Sequence, residues 1–137
     1  MNTLPATKMQ AATALHQLKG FIGRNQLAAI DAGIWGEERQ FFYDKLVEMA
    51  QIVTTMPVTY ETDGQGLQAI VKLHYFTAGA DFYITERDCE AEQLQAFGKA
   101  DIFQDGGELG YISIVEILEG GAELDLHWTP KTLGEIK

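Results

Sequence analysis

Short aromatic segments separated by turns of only a few residues fill the second half of the chain, from Ala69 to Trp128. Apolar and polar side chains alternate within these segments, which is typical of half-buried β-strands. A parallel crossover between neighbouring strands needs about a dozen residues or more, and the connections here are shorter. The second half is therefore expected to form a mostly antiparallel sheet of about five strands.

Glycine and aspartate mark the ends of the predicted strands. In the first strand Lys72 and His74 share one face, and Leu73 and Tyr75 share the other. Gly98 lies inside a strand and is expected to mark a bulge or a close approach of two backbones. Strands are predicted at residues 68–76, 82–87, 94–103, 108–112 and 123–127, with a short helix at 114–118 and a last helical turn from Thr129-Pro130.

Hydrophobic residues in the first half recur with helical spacing. An i, i+4, i+7, i+11 stripe, which lies on one side of a helix, is formed by Phe42, Leu46, Met49 and Val53. Asn25 suits the cap of a shorter helix, and Gly33 suits a left-handed residue that closes it. Helices are predicted at residues 7–22, 25–32 and 37–54.

Both patterns together predict an α+β fold, in which an N-terminal three-helix layer packs on one face of the antiparallel sheet. A chain of 137 residues can bury a sizeable core and fits a single domain. Residues 1–57 would form its helical part and residues 68–137 its β-rich part, because the turn-rich connector at 60–66 is short.

Negative charge is concentrated in the β-rich part. Up to Leu67 the chain has five basic and seven acidic residues, and after it five basic and thirteen acidic ones, so −8 of the net charge of −10 lies in the second half. Such a surface repels phosphates, so direct nucleic-acid binding is not expected. The partner class that it favours is a basic protein surface, including that of a host nucleic-acid-binding protein.

The candidate protein-binding residues are the carboxylates that flank the predicted strands. They are Asp81, Glu86, Asp88, Glu90, Glu92, Asp101, Asp105 and Glu108. If these side chains lay in rows on one surface, they could imitate the phosphates of a nucleic acid. The alternative is that they only keep the protein soluble.

Two strand histidines offer an alternative site. If the first and last strands are neighbours, His74, Asp125 and His127 would provide three metal ligands with an open position, as in a small-ligand or metal-dependent enzyme. Half-buried strand histidines without a ligand would give the same pattern.

Other chemistry finds little support in the sequence. Cys89 is the single cysteine and lies among carboxylates, which disfavour its thiolate. No glycine-rich phosphate loop or nucleophile elbow occurs, so no cofactor is expected. The chain shows neither an N-terminal signal peptide nor an apolar run of about 18 residues, so we expect no membrane span and a cytoplasmic location.

Five consecutive blocks resemble the bacterial family catalogued as domain of unknown function 2958, over residues 71–136. They are 73–77 (LHYFT), 81–88 (DFYITERD), 95–101 (QAFGKAD), 107–113 (GELGYIS) and 123–130 (ELDLHWTP). The resemblance implies plasmids, prophages and other mobile elements as the setting. It implies no activity, cofactor or catalytic residue.

The expected function is that of a non-catalytic binding or accessory protein of a mobile element, acting on a basic partner such as a host defence factor. The enzyme built on the two histidines is the alternative. A homodimer is a third possibility, through an exposed sheet edge or the aromatic segment Phe41-Phe42-Tyr43.

Overall fold

The computed structural model describes residues 4–90 and 92–136. Residues 1–3, 91 and 137, which belong to the predicted domain, lie outside the described residues. The helices are α1 Lys8–Gln17, α2 Arg24–Gly33, α3 Arg39–Thr55 and α4 Ile114–Glu119. The strands are β1 Ile70–Val71, β2 Leu73–Phe76, β3 Asp81–Glu86, β4 Ala96–Asp101, β5 Glu108–Ile112, β6 Glu123–Leu124 and β7 Lys131–Thr132, with 3₁₀ helices at Gly66–Gln68 and Leu133–Glu135.

The predicted α+β architecture is confirmed. Three helices precede an antiparallel sheet of five strands in the order β5-β4-β3-β2-β6. A large core joins both halves of the chain, because residues of α1 and α3 pack on the inward side chains of β2 and β3. Tyr75 of β2 is fully buried and donates a hydrogen bond to the Phe21 carbonyl at 2.5 Å. Burial raises the pKa of Tyr75.

Two predictions about α2 are wrong in detail. The helix begins at Arg24 with Gly23 as its N-cap, so Asn25 lies inside the first turn. Gly33 belongs to the helix and does not have a left-handed backbone. It is small because the Phe42 ring of α3 occupies the space that a side chain would need. Gly33 therefore permits a close contact between α2 and α3.

The pairing of β3 with β4 explains why a glycine, Gly98, lies inside β4. A side chain at Gly98 would collide with the carbonyl of Tyr83, so the predicted close approach of backbones is confirmed. Beyond Ile84 the register shifts, and Glu86 comes to lie opposite Phe97. Thr85 is the extra residue of this bulge, which changes the face on which Glu86 lies.

The predicted strand 68–76 is divided in the structure. β1 leaves the main sheet and pairs with β7, whereas β2 begins after Lys72 and lies between β3 and β6. Ala69, Val71 and Leu133 form a small second core under this two-stranded sheet. The last helical turn begins at Leu133, after β7, instead of at Pro130.

The predicted strand 123–127 is also shorter, because pairing ends at Leu124. On the side of β6 away from β2, the side chain of Gln26 takes the place of a further strand. Its amide donates to the Leu124 carbonyl and accepts from the Leu124 N–H, each at 2.8 Å. This edge of the sheet is thus covered by a residue of α2.

Candidate functional site

The face of the five-stranded sheet away from the helices, called here the open face, carries a row of acidic residues. Asp101, Asp81, Phe76 and Glu123 are successive cross-strand partners on β4, β3, β2 and β6. Partners in adjacent strands share a face and lie about 5 Å apart. Asp125 follows just after β6 and its backbone N–H donates to the His74 carbonyl. We call Asp81, Asp101, Glu123 and Asp125 the acidic end of the open face.

His74 lies between two carboxylates of the acidic end. Its Nε2 is 2.8 Å from Asp81 Oδ1, and its Nδ1 is 3.0 Å from Asp125 Oδ2. A carboxylate oxygen only accepts hydrogen bonds, so both bonds exist together when both ring nitrogens carry protons. His74 therefore links the carboxylates of Asp81 and Asp125 through its two ring nitrogens.

Aromatic rings hold His74 in place. The imidazole stacks on Tyr83 with the ring planes 11° apart, and Trp128 lies 5.0 Å away between centroids. Trp128 is fixed by a hydrogen bond from its Nε1 to the Val71 carbonyl, and the Lys131 ammonium lies over its ring. We call His74 with Asp81 and Asp125 the histidine clamp. These ring contacts hold it more firmly than a pair of side chains on the surface.

Tyr83 reports the electrostatics of this face. Its partial burial raises the pKa of the phenol, and the charges of Asp81 and Asp101 raise it further. Both carboxylates disfavour a phenolate beside them. Tyr83 is therefore a neutral aromatic wall of the site.

The residues proposed for a metal site are only partly brought together. His74 meets Asp125, but His127 lies in a turn, where its N–H donates to Asp125 Oδ1 and its ring lies 5.7 Å from that of Phe41. The predicted strand 123–127 would have placed Asp125 and His127 on one face, and this prediction is wrong because β6 ends at Leu124. Over residues 4–90 and 92–136, no group of three or more His, Cys, Asp or Glu side chains could hold a metal ion.

Both ring nitrogens of His74 are also taken by carboxylates. A neutral ring nitrogen with a free lone pair is what a metal ligand or a general base requires. His74 offers neither while the two hydrogen bonds to Asp81 and Asp125 persist. The geometry suits the positioning of the two carboxylates better than proton transfer.

Glu86, one of the predicted protein-binding residues, is buried with 2% of its surface exposed. Its carboxylate accepts hydrogen bonds from the N–H groups of Tyr60 at 2.7 Å and Thr62 at 2.8 Å, and from the Thr62 hydroxyl. These bonds anchor the connector between the helical and β-rich parts. Glu86 is thus a structural residue, and its assignment to a docking surface is wrong.

The assignment of Asp88 to a docking surface is also wrong. It is buried and accepts hydrogen bonds from the N–H groups of Glu90, Leu94 and Gln95 at 2.9–3.0 Å. Burial tends to raise the pKa of Asp88, but these backbone donors outweigh it and hold the pKa below its ordinary value. The carboxylate therefore organises the loop between β3 and β4.

The other predicted acidic residues divide between the two ends of the sheet. Glu90 and Glu92 are exposed in the β3–β4 loop, at the end of β3 away from Asp81. Asp105 is exposed in the β4–β5 turn, and Glu108 is exposed at the start of β5, so both lie near the acidic end. The carboxylates do not form one continuous surface; the acidic end is the part arranged in register.

Exposed aromatic rings lie beside β5, and the sequence interpretation missed one of them. Tyr60 has a left-handed backbone with φ of 76°, fixed by its N–H bond to Glu86. Its hydroxyl accepts a hydrogen bond from Tyr111 at 2.9 Å, and Tyr111 meets Phe97 edge to face. In sequence Tyr60 looked like part of a polar turn, since its neighbours are Glu, Thr, Asp and Gly.

A concavity of about 720 Å³ lies elsewhere, between the start of α2 and α4. Gly23 and Gln26 line one side of it, and Leu118 and Ala122 line the other. None of the residues predicted from the sequence as site residues borders it, but Glu123 of the acidic end does. It does not add a reaction centre to the histidine clamp.

No protein-family model, curated protein or solved structure matches this chain. The resemblance to domain of unknown function 2958 therefore stays a prediction. Among the helices of the described residues, none has both the length and the apolar character needed to cross a membrane.

Proposed function

We propose that this protein is a non-catalytic binding protein that docks a basic segment of another protein on the acidic end of its open face. The observation that carries the proposal is the register that places Asp101 and Asp81 opposite each other on β4 and β3, with Glu123 of β6 in the same row beyond Phe76 of β2. Carboxylates fixed in this way form a surface that lysine and arginine side chains can match. Its geometry comes from the sheet and needs no rearrangement on binding.

No lysine or arginine of the described residues is within ion-pair distance of the acidic end, although Lys99 lies on the same face, two residues before Asp101 and opposite Tyr83. Within the described residues, the one ion pair between a carboxylate and a lysine or arginine is Lys45–Glu48, on α3. The imidazole of His74 is the one side chain within ion-pair distance of Asp81 and Asp125 in that part of the chain. Asp101 and Glu123 form no such pair there, so their carboxylates can engage a partner.

Asp81 and Asp101 lie directly opposite each other, and like charges in that position destabilise a sheet. Stability alone would favour a neutral or basic residue at one of the two positions. A locally unfavourable pair on an open surface is what a binding function explains.

The partner class follows from charge and from the family resemblance. Phosphates would be repelled, so the ligand is a basic protein and not a nucleic acid. The resemblance to a mobile-element family favours a host nucleic-acid-binding or defence protein, met in the cytoplasm, whose basic groove would receive the carboxylates. This assignment rests on the resemblance, whereas the docking surface rests on geometry.

Removing two negative charges either from the acidic end or from the helical part tests the proposal. The probe is a short fluorescent oligolysine peptide, and the test variant is Asp101→Asn with Glu123→Gln. The control is Asp31→Asn with Glu37→Gln, which removes the same charge from exposed positions in the helical part. We expect about a fivefold loss of affinity in the test variant and almost none in the control.

Salt gives a second readout of the same surface. Binding should weaken markedly when ionic strength rises from low salt to about 0.3 M, since exposed charges are then screened. Equal affinity of both double variants for the peptide would show that only net charge matters and would refute a localised docking surface.

A further inference from the structure

The two edges of the five-stranded sheet differ. On one edge the Gln26 amide occupies the backbone groups of Leu124. On the other edge β5 pairs with β4 and ends the sheet. Among the described residues, the backbone of Glu108–Tyr111 makes no recorded hydrogen bond outside this pairing. β5 therefore presents a row of free N–H and C=O groups.

β5 carries little of the usual protection of an edge strand, since its one charged residue is Glu108 at its start. Natural edges carry lysine, proline or a bulge that discourages a further strand. The sequence of β5 is Glu-Leu-Gly-Tyr-Ile, and its register with β4 is regular. Leu109 is 51% exposed and Tyr111 is 58% exposed. A weakly protected edge with exposed apolar side chains is suited to pairing with another chain.

Gly110 forms a notch in the middle of this edge. A side chain at Gly110 would meet no atom within 4 Å, in contrast to Gly98, its partner on β4. The space belongs to a concavity of about 250 Å³ that Ala100, Phe103 and Ile112 help to line. The interior of the protein therefore gives no steric reason for glycine here, and an apolar side chain of an added strand would fit the notch.

The other side of the edge has an aromatic platform. Tyr111 and Leu109 lie on the open face, and the hydroxyl of Tyr111 is held by Tyr60. The left-handed backbone of Tyr60 costs about 1 kcal/mol for a non-glycine residue, and the buried Glu86 carboxylate keeps it in place. The hydrogen bond from the Tyr60 N–H to the buried Glu86 thus holds the exposed Tyr60 ring beside β5.

The charge around β5 selects the occupant. Asp101, Asp105 and Glu108 surround the turn that leads into the strand. A second copy paired antiparallel on β5 would bring this acidic turn towards α4, which carries Glu116 and Glu119 and no basic residue. Self-pairing is therefore repulsive, whereas a strand that bears lysine or arginine is attracted.

From the open edge, the notch and the charge, we infer that β5 receives an extended segment of the basic partner as an additional strand of the sheet. Basic side chains of that segment would face the acidic turn, and an apolar side chain would enter the notch at Gly110. The inference rests on the proposed function, since it names how the same partner is held. Backbone pairing supplies affinity, and the notch and charges supply selectivity.

The test uses three synthetic peptides of equal length with the full-length protein. The first alternates lysine and valine. The second alternates lysine and proline, which keeps the charge but cannot pair as a strand. The third alternates glutamate and valine. We expect the lysine–valine peptide to bind at least about tenfold more tightly than either control.

Variants of the edge provide the second arm. Gly110→Val fills the notch without a change of charge, and the free space around Gly110 lets the fold accept it. Leu109→Lys adds a charge to the edge, and Leu67→Lys is its matched control, because Leu67 is 67% exposed outside the sheet. Gly110→Val and Leu109→Lys should each weaken lysine–valine binding about tenfold, and Leu67→Lys less than twofold.

The outcomes separate this inference from the proposed function. If both lysine peptides bind equally and both weaken in the Asp101→Asn, Glu123→Gln variant, the acidic end binds but strand addition is refuted. If neither lysine peptide binds, both proposals fail. A concentration-dependent dimer that Gly110→Val abolishes would identify a second copy as the occupant and overturn the inference.

Discussion

The two ends of β3 carry carboxylates in opposite roles. Glu86 at one end of the strand and Asp88 just beyond it are buried and accept hydrogen bonds from backbone N–H groups. At the other end, Asp81 is opposed by Asp101, and the pair shares the open face with Glu123. Residue type is the same at both ends. A carboxylate stabilises the fold where hydrogen-bond donors surround it and destabilises the fold where they are absent. Contacts between segments distant in sequence determine which donors are present.

The largest expected effect on stability comes from removing the Glu86 carboxylate at the end of β3 where carboxylates stabilise the fold. Glu86→Ala should lower the free energy of unfolding by about 4 kcal/mol, because it leaves the N–H groups of Tyr60 and Thr62 and the Thr62 hydroxyl without an acceptor. Urea unfolding followed by circular dichroism measures the change. Glu90→Ala, an exposed position in the neighbouring loop, should change it by less than about 0.5 kcal/mol.

Asp88→Asn is expected to cost about 2 kcal/mol near neutral pH, since an amide accepts the three loop N–H groups less well than a carboxylate. The folded protein lowers the pKa of Asp88 from its ordinary value of 3.8, so the ionised form is the stabilising one. Its contribution is complete above the unfolded-state pKa and is lost as the pH falls through the lower folded-state value.

Unfolding curves of wild type and Asp88→Asn over acidic pH check this sign. The difference in stability should be constant above about pH 5 and should shrink progressively below about pH 4. A difference that grew with acidity would show that the Asp88 carboxylate is not the stabilising species.

His74→Ala sharpens the comparison at the acidic end, because it removes the side chain that links two carboxylates. We expect a loss of about 2 kcal/mol, since Asp81 would remain partly buried without its donor and Asp125 would keep only the His127 N–H. His127→Ala is the control, as its exposed ring has no ion pair and should matter by less than about 0.5 kcal/mol. Equal losses in both variants would refute the clamp.

The smallest effect has the opposite sign. Asp101→Asn should raise the free energy of unfolding by about 0.5 kcal/mol, because it relieves the repulsion from Asp81 and keeps an oxygen for the Asp105 N–H. Thermal unfolding at low salt measures it, and added salt should diminish the gain. Asp31→Asn, on α2, should leave the melting temperature unchanged.

Elements that local sequence controls were predicted well. Periodic apolar residues identified α3, and short connections identified the antiparallel sheet, because spacing and loop length act within about a dozen residues. The close approach at Gly98 was also anticipated. By contrast, a single strand at 68–76 was expected, although its first half pairs with β7, some sixty residues away.

The candidate site was predictable only in part, since burial and register are long-range properties. Glu86 and Asp88 looked like solvated charges, because their hydrogen-bond donors lie in other segments or in a loop whose shape is not evident from composition. The meeting of His74 with Asp125 was expected only on the assumption that the first and last strands are neighbours, which the pairing of β2 with β6 fulfils. Glu123 was not included in the docking set, since its alignment with Asp81 appears only when β6 is placed beside β2.

The amide of Gln26 has a consequence for assembly. A sheet with two accessible flanks can recruit copies of itself on both sides and grow into an endless ribbon, as in fibres. Here one flank is covered by a side chain of the same molecule, so edge-to-edge association of identical chains could not extend beyond a pair. The Gln26 side chain thereby limits polymerisation while the opposite flank remains accessible.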